Sequence, residues 1–420
     1  MTPERIEITT LPNGLRVVSE TVPHVQSVSV GLWVGAGSRD EPASVRGISH
    51  FIEHMLFKGT ERRSPRDIAS EIESRGGSMN AFTDKEFTCF YARTLADDVG
   101  VAIDVLADML RHSSLDPDEL ARERNVVLEE IKRYRDTPEE LIHDVFTETL
   151  WRTHPLGRSV IGSARTVGAL DREAVAAHLS AHYTPDRIVL AAAGNVPHER
   201  LVELAMRHLG DMEGGRRRPA RRAARESGLQ RRMRRRTEQV HFCLGGPAVD
   251  HESEQRYALS VLDTALGGTM SSRLFQEIRE KRGLAYSIGT YTAAFREGGV
   301  IVVNGGTSPE TFDAVMDLTR AELEKVREEG LSEQEVADSK QQLRGGLLLG
   351  LESMSNRMMR MGRSMLALGR IPSVDHILAR FGAVTGAEVR MIAAEVFRED
   401  RLTLAAIGPF ARGDEGGSSV

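Results

Sequence analysis

Gly47-Ile48-Ser49-His50-Phe51-Ile52-Glu53-His54-Met55-Leu56-Phe57-Lys58-Gly59-Thr60 is the stretch from which the rest of the chain can be read. At about 100° per residue, a helix over 47–58 gathers Ile48, Phe51, Ile52 and Met55 on one apolar face. His50, Glu53 and His54 then share the opposite face, within roughly 100° of arc. The pattern is H-x-x-E-H, the inverse of the H-E-x-x-H zinc motif. Two imidazoles four residues apart can hold one zinc ion, and the carboxylate between them can act as a general base. A lone histidine is more often structural than a ligand. Two of them with a carboxylate, all segregated from the apolar stripe, favour the metal.

A catalytic zinc takes three protein ligands and keeps one position open. The third should come from another element, and the helical pattern over 117–135 offers it. Leu120, Val127, Ile131 and Tyr134 form that helix's apolar face. Glu130 lies about 60° from Val127, and Glu123 about 40° from it on the same side, whereas Glu129 points nearly opposite with Asn125, Lys132 and Arg133. A carboxylate beside an apolar stripe is costly unless paired or metal-bound. Glu130 is therefore the expected third ligand, and Glu123 the residue that orients a histidine behind the metal. The alternative is two surface glutamates pairing with neighbouring arginines.

The remainder of the chain supplies the setting. Its 420 residues exceed one ordinary domain. Hydrophobic content of 40% and charged content of 28% suit a folded globular protein. A net charge of −6 gives no general reason to expect nucleic-acid binding. No apolar run approaches the roughly 20 residues that span a bilayer, and no charged-then-apolar leader opens the chain, so a cytoplasmic protein with no membrane partner is expected. Cys89 and Cys243 read as two buried thiols. The arginine-dense run from Arg216 to Arg236 reads as a solvated linker; without interleaved aromatics it is a poor platform for single-stranded nucleic acid. The sequences on either side share an outline. Strand patterns at 27–34 and 239–244 are each followed by a helical pattern ending near Gly-Thr, at Gly59-Thr60 and Gly268-Thr269. This gives an expected division into 1–212, a basic linker at 213–237, a homologous domain at 238–412 and a tail at 413–420. With Gly59-Thr60 set against Gly268-Thr269, His50, Glu53 and His54 face Leu259, Leu262 and Asp263, so the second half keeps the fold without the ligands. Met354, Met358, Met361 and Met365 follow helical spacing and are expected in the core.

These residues together resemble the pitrilysin family of inverted-motif zinc metallopeptidases, and within it the bacterial relatives of the mitochondrial processing peptidase. The likeness rests on residues 47–60, on Glu123 to Glu130, on Gly76-Gly77-Ser78-Met79-Asn80-Ala81-Phe82-Thr83 and on the run Leu274 to Ser287, and extends from about Leu11 to Pro409. It implies His50, His54 and Glu130 as ligands of one Zn2+ per chain and Glu53 as the general base. It implies an α+β fold of two homologous domains, each a mostly antiparallel sheet with helices on one side, and a homodimer enclosing a chamber. It also implies that Asn80, Ala81, Arg279 and Tyr286 bind substrate. Because one chain carries both the zinc set and the Arg279/Tyr286 pair, a self-sufficient homodimer is favoured over a catalytic subunit that needs a different partner chain.

Residues 76–83 read as an edge strand after a flexible Gly-Gly, to which an extended peptide could add by main-chain hydrogen bonds. The expected activity is a zinc endopeptidase hydrolysing short or unfolded peptides. The competing class is a non-catalytic structural subunit of a larger complex, which would be expected to have lost part of the His/Glu set.

Overall fold

The computed structural model describes residues 5–215 and 228–411. Much of the arginine-dense run and the tail at 413–420 lie outside them. The described residues form two compact units, and neither is a contiguous stretch. The first is drawn from Met1–Lys132, Arg158–Ala220 and Leu349–Ser373, the second from Arg133–Gly157, Arg221–Leu348 and Val374–Val420. The expected division into 1–212 and 238–412 is therefore crossed twice.

The first unit is built on six strands in the order β1 (Ile6–Thr10), β2 (Arg16–Thr21), β6 (Ile188–Gly194), β3 (Ser27–Val34), β5 (Thr88–Leu95) and β4 (Ser78–Thr83). Only β2 and β6 pair in parallel. The second unit repeats the scheme with five strands: β7 (Gln230–Arg234), β11 (Thr403–Gly408), β8 (Val240–Ala248), β10 (Gly298–Thr307) and β9 (Ala285–Phe295). Its one parallel pair, β7 with β11, occupies the same place in the order. Both sheets are thus mixed. β7 also shows that part of the supposed linker is an edge strand, whose arginines suit an edge that must not recruit further strands.

The expectation of helices on one side of each sheet is corrected. Helices α1 (Ile48–Leu56), α2 (Pro65–Glu73), α3 (Val99–His112) and α4 (Pro117–Arg135) pack with Val28, Val30, Leu32, Leu190 and Ala192 in one core. On the opposite face, Trp33, Cys89, Val189 and Ala191 meet Met358, Met361 and Met365 of the helix Met354–Leu368. Met354 itself is only partly buried. The second sheet is likewise covered on both faces, one of them by α5 (Pro138–Leu150), whose Ile142, Val145 and Phe146 pack on Val300, Val302 and Ile407. Each half of the sequence thus lends a helix to the other half's sheet. Burial on both faces explains the unbroken apolar run of β6 and the burial of the small residues Ser29 and Gly31 between the large ones of β3, which alternation alone does not predict.

Local signals set the boundaries. Ser64 caps α2 in a box with Asp67, with Pro65 at the first helical position. The α2 C-terminus closes through Gly77 N–H to Ile72 C=O and Gly76 N–H to Glu73 C=O, with Gly76 at φ +73°. That is a Schellman stop, so Gly76-Gly77 is a helix terminator rather than the flexible pair expected from sequence. Helices at Val374–Ala383 and Gly386–Val396 escaped the sequence reading, although Thr385 and Glu388 form a capping box. Both cysteines are free and buried. Among the described residues no helix is long and apolar enough to cross a membrane.

Candidate metal centre

The site is built in the first unit from α1, α4 and the end of β4. Ile48, Phe51, Ile52 and Met55 anchor α1 in the core, essentially fully buried. His50, Glu53 and His54 are turned to the partly open face. Helix α1 begins after Gly47, whose φ of +91° favours glycine and whose added Cβ would approach Ile161 O to 2.7 Å. Its free N–H groups are met by a buried carboxylate: Glu41 accepts from Gly47 N at 2.8 Å and from Ser49 N at 2.9 Å. Arg158 donates to the Glu41 main-chain oxygen at 2.7 Å.

On α4, Leu120, Val127 and Ile131 are buried and fix the helix's rotation. Glu130 Oε2 lies 3.6 Å from His54 Nε2 and 3.8 Å from His50 Nε2. His50, His54 and Glu130 are the one group of three potential metal donors found among the described residues, with donor atoms within 4.8 Å of one another. Zinc bonds of about 2.0–2.2 Å place tetrahedral ligand atoms about 3.3 Å apart, so a small inward movement suffices. Two imidazoles and a carboxylate also match zinc's preferred donors. Burial, and secondarily the nearby His54, push His50 down to about 4, so its ring is neutral near pH 7 and offers a lone pair. His50 Nδ1 is buried without a hydrogen-bond partner. By contrast His54 Nδ1 is held at 3.1 Å by Glu123 Oε2, and Lys58 Nζ sits 2.7 Å from Glu123 Oε1. Glu129 is turned to solvent, pairing with Lys132 at 2.6 Å.

Glu53 is not one of the three donors. Its Oε2 accepts a 2.6 Å hydrogen bond from Thr83 Oγ1. Burial raises the Glu53 carboxyl above its usual range, against the pull of that bond. A half-buried carboxylate with a raised pKa, one turn from the metal donors, suits a group that must take up and release a proton.

β4 is an edge strand, paired only with β5. Asn80 is exposed there and turns its Oδ1 onto Ala81 N at 2.8 Å; Ala81 is partly buried. In the second unit, Arg279 lies on a one-turn π-helix, Phe275–Glu280, a distortion frequent at functional sites. Its guanidinium stands 5.2 Å from the Tyr286 ring centroid, and Tyr286 is 77% exposed on edge strand β9. The helix that follows β8, Arg256–Leu266, holds the topological place of α1 and carries buried Leu259 and Leu262 with partly buried Asp263. Sequence reasoning missed Glu41, Lys58 and the role of Thr83. Strand alternation from Ala81 would have put Thr83 on the α1 side; no local spacing rule reaches Glu41 from its loop.

The family model described as Insulinase (Peptidase family M16) matches residues 16–164, and that of the Peptidase M16 inactive domain matches 169–343. An uncharacterized zinc protease of Streptomyces coelicolor is 44% identical over 410 residues, covering 96% of this chain and 89% of the relative. The uncharacterized zinc protease YmxG of Bacillus subtilis is 38% identical over 408 residues, covering 95% of this chain and 97% of the relative. A crystal structure of a protease from Helicobacter pylori superposes with a TM-score of 0.90 at 22% identity, covering 96% of this chain and 99% of that one. That last likeness speaks for the fold alone.

Proposed function

The chain belongs to the M16 peptidase family, and on that premise we propose that it is a zinc endopeptidase that cleaves short or unfolded peptides. The observation that carries the reading is the convergence of His50 Nε2, His54 Nε2 and Glu130 Oε2 beside a Glu53 carboxylate that is left out of the donor set. A zinc ion held by those three would supply a Lewis acid that polarises the scissile carbonyl and acidifies water. Glu53 takes the proton of the attacking water as its oxygen bonds to the carbonyl carbon. It then returns that proton to the leaving nitrogen as the C–N bond breaks. Glu123, itself paired with Lys58, keeps His54 in the tautomer that turns Nε2 to the metal.

The open edge of β4 is proposed to receive the peptide as an added strand, with Asn80 and Ala81 along it. Such pairing reads backbone more than side chains and needs an extended substrate, which favours short or unfolded peptides. Arg279 and Tyr286 are assigned to substrate binding in the second unit. With both sets on one chain, a homodimer of this chain is the expected working form.

The test is to purify the chain alone, load it with zinc and follow cleavage of a quenched short peptide with and without chelator. Chelator-sensitive cleavage is expected. Glu53→Gln should retain zinc and lose about 10²–10⁴-fold in kcat. An inactive, zinc-loaded chain would favour a structural subunit. Activity restored by a different partner chain would favour a split catalytic enzyme.

A further inference from the structure

We propose that Thr83 is a positioning residue that holds the Glu53 carboxylate for proton transfer, so that the strand offered to substrate also aims the base. This rests on the peptidase reading above and deepens it. Thr83 ends β4, and its register partner on β5 is Thr88. Strand alternation puts Met79, Ala81 and Thr83 on one face of the sheet and Asn80 and Phe82 on the other. The two faces are independently pinned. Met79 and Ala81 pack against the core that contains α1. Phe82 meets Trp33 edge-on at 5.7 Å between ring centroids on the far side. A slip of one residue would turn Phe82 toward α1 and remove the hydroxyl.

In the observed register, Thr83 Oγ1 reaches Glu53 Oε2 at 2.6 Å, a length typical of a hydroxyl donating to a carboxylate. The Thr83 main-chain N–H bonds the same carboxylate, so one residue of the edge strand fixes its orientation. A carboxylate on two or three free torsions would have to be ordered anew at each turnover. Here the ordering is built into the backbone of the edge strand, and a peptide that pairs along that edge rests on the same strand. Misplacing a reacting group by about 1 Å can cost about 10²-fold in rate.

The experiment compares Thr83→Val, which keeps the shape and removes the donor, with Thr83→Ser, which restores the donor. Zinc stoichiometry, thermal melting and affinity for an uncleavable peptide are measured alongside steady-state kinetics. Thr83→Val should lose about 10–100-fold in kcat, with KM, zinc content and peptide affinity each within about threefold of wild type, and Thr83→Ser should recover most of the rate. A valine variant with wild-type kcat, or a serine variant as slow as the valine one, would overturn the assignment. So would lost zinc or a collapsed melting temperature in Thr83→Val, if the folded Thr83→Ala variant then turns over at the wild-type rate. Absence of turnover in the wild-type chain would instead sink the peptidase reading, and this inference with it.

Discussion

The Glu41 carboxylate accepts a 2.9 Å hydrogen bond from Ser49 N–H, one residue before His50, so a buried acid from the preceding loop fixes the start of the helix that carries His50 and His54. Burial pushes its pKa up to about 7, against the pull of the Ser49 and Gly47 N–H groups and the Arg158 charge. Between about pH 4.5 and 7 the folded chain therefore keeps a proton that the unfolded chain has released. Stability from this group is full below that window and is lost as pH rises through 7, by about 2–3 kcal/mol. Glu41→Gln removes the titration while giving up one acceptor, a roughly constant cost. Urea unfolding at pH 5 and pH 8 should show the wild type losing ground to Glu41→Gln by about that amount. Parallel pH dependences would contradict the prediction.

Glu130 and Glu129 are adjacent in sequence and opposite in setting, one near two imidazoles and the other on a solvent-exposed ion pair. Removing an outer partner of a ligand typically costs 10–100-fold in metal affinity, so losing a ligand should cost at least about 10²-fold. Glu130→Gln is expected to weaken zinc binding by that much or more, Glu123→Gln by about 10–100-fold, and Glu129→Gln not at all. Competition titration against a coloured chelator measures all three, and equal effects at 129 and 130 would refute the assignment.

The same pair shows what periodicity can reach. A helix wheel separates Glu130 from Glu129 because Leu120, Val127 and Ile131 define the buried face without knowledge of any partner. The duplication was legible too, as strand and helix patterns recurring around Gly-Thr, and the second sheet repeats the first in order and in the position of its parallel pair. What periodicity misses is contact across the chain. Nothing near Met354 says that its helix covers Trp33, and nothing near Ile142 says that α5 covers Val300. The run Ile188-Val189-Leu190-Ala191-Ala192-Ala193, apolar on both alternations, was the available hint that the sheet is covered twice.

Asp108 is buried on α3 and accepts from Thr60 Oγ1 and Arg63 Nη1, each at 2.7 Å, and from Arg62 Nε at 3.1 Å. His112 Nδ1 lies 3.0 Å from Oδ1, the oxygen that also accepts from Arg62. Burial alone would raise this carboxyl; the hydrogen bonds from Thr60, Arg63, His112 and Arg62 outweigh it and hold the group at about 2. Its stabilising charge is therefore complete above the ordinary carboxylate range and is lost as pH falls through 2. Asp108→Asn takes one of three carboxylates from Arg63, which keeps Glu71 and Asp104, and should cost about 1–3 kcal/mol near neutral pH. The gap between wild type and variant should narrow from pH 4 to pH 2. A constant gap would mean that shape rather than charge is responsible.

Gly362 tests the exchanged helix. A Cβ built there would come within 2.2 Å of Trp33 Nε1 and 2.3 Å of Cε2, so the helix Met354–Leu368 lies against the indole with no room for a methyl group. One turn earlier, Met358 Sδ accepts from the same Nε1 at 3.3 Å, which fixes the ring and leaves it no easy escape. In an open helix, Gly→Ala would gain up to about 1 kcal/mol in propensity. Here the overlap forces helix and sheet apart or turns Trp33 from its rotamer, at a cost of about 1–3 kcal/mol. The sign decides the matter. Gly362→Ala should lower the urea midpoint and the melting temperature, whereas the propensity gain alone would raise both. Glycine at 345, where an added Cβ would meet nothing within 4 Å, supplies the control: Gly345→Ala, on the helix Glu333–Gly350, should be neutral or stabilising. Destabilisation by Gly362→Ala with none from Gly345→Ala would place the cost in the contact with Trp33 and not in the helix itself.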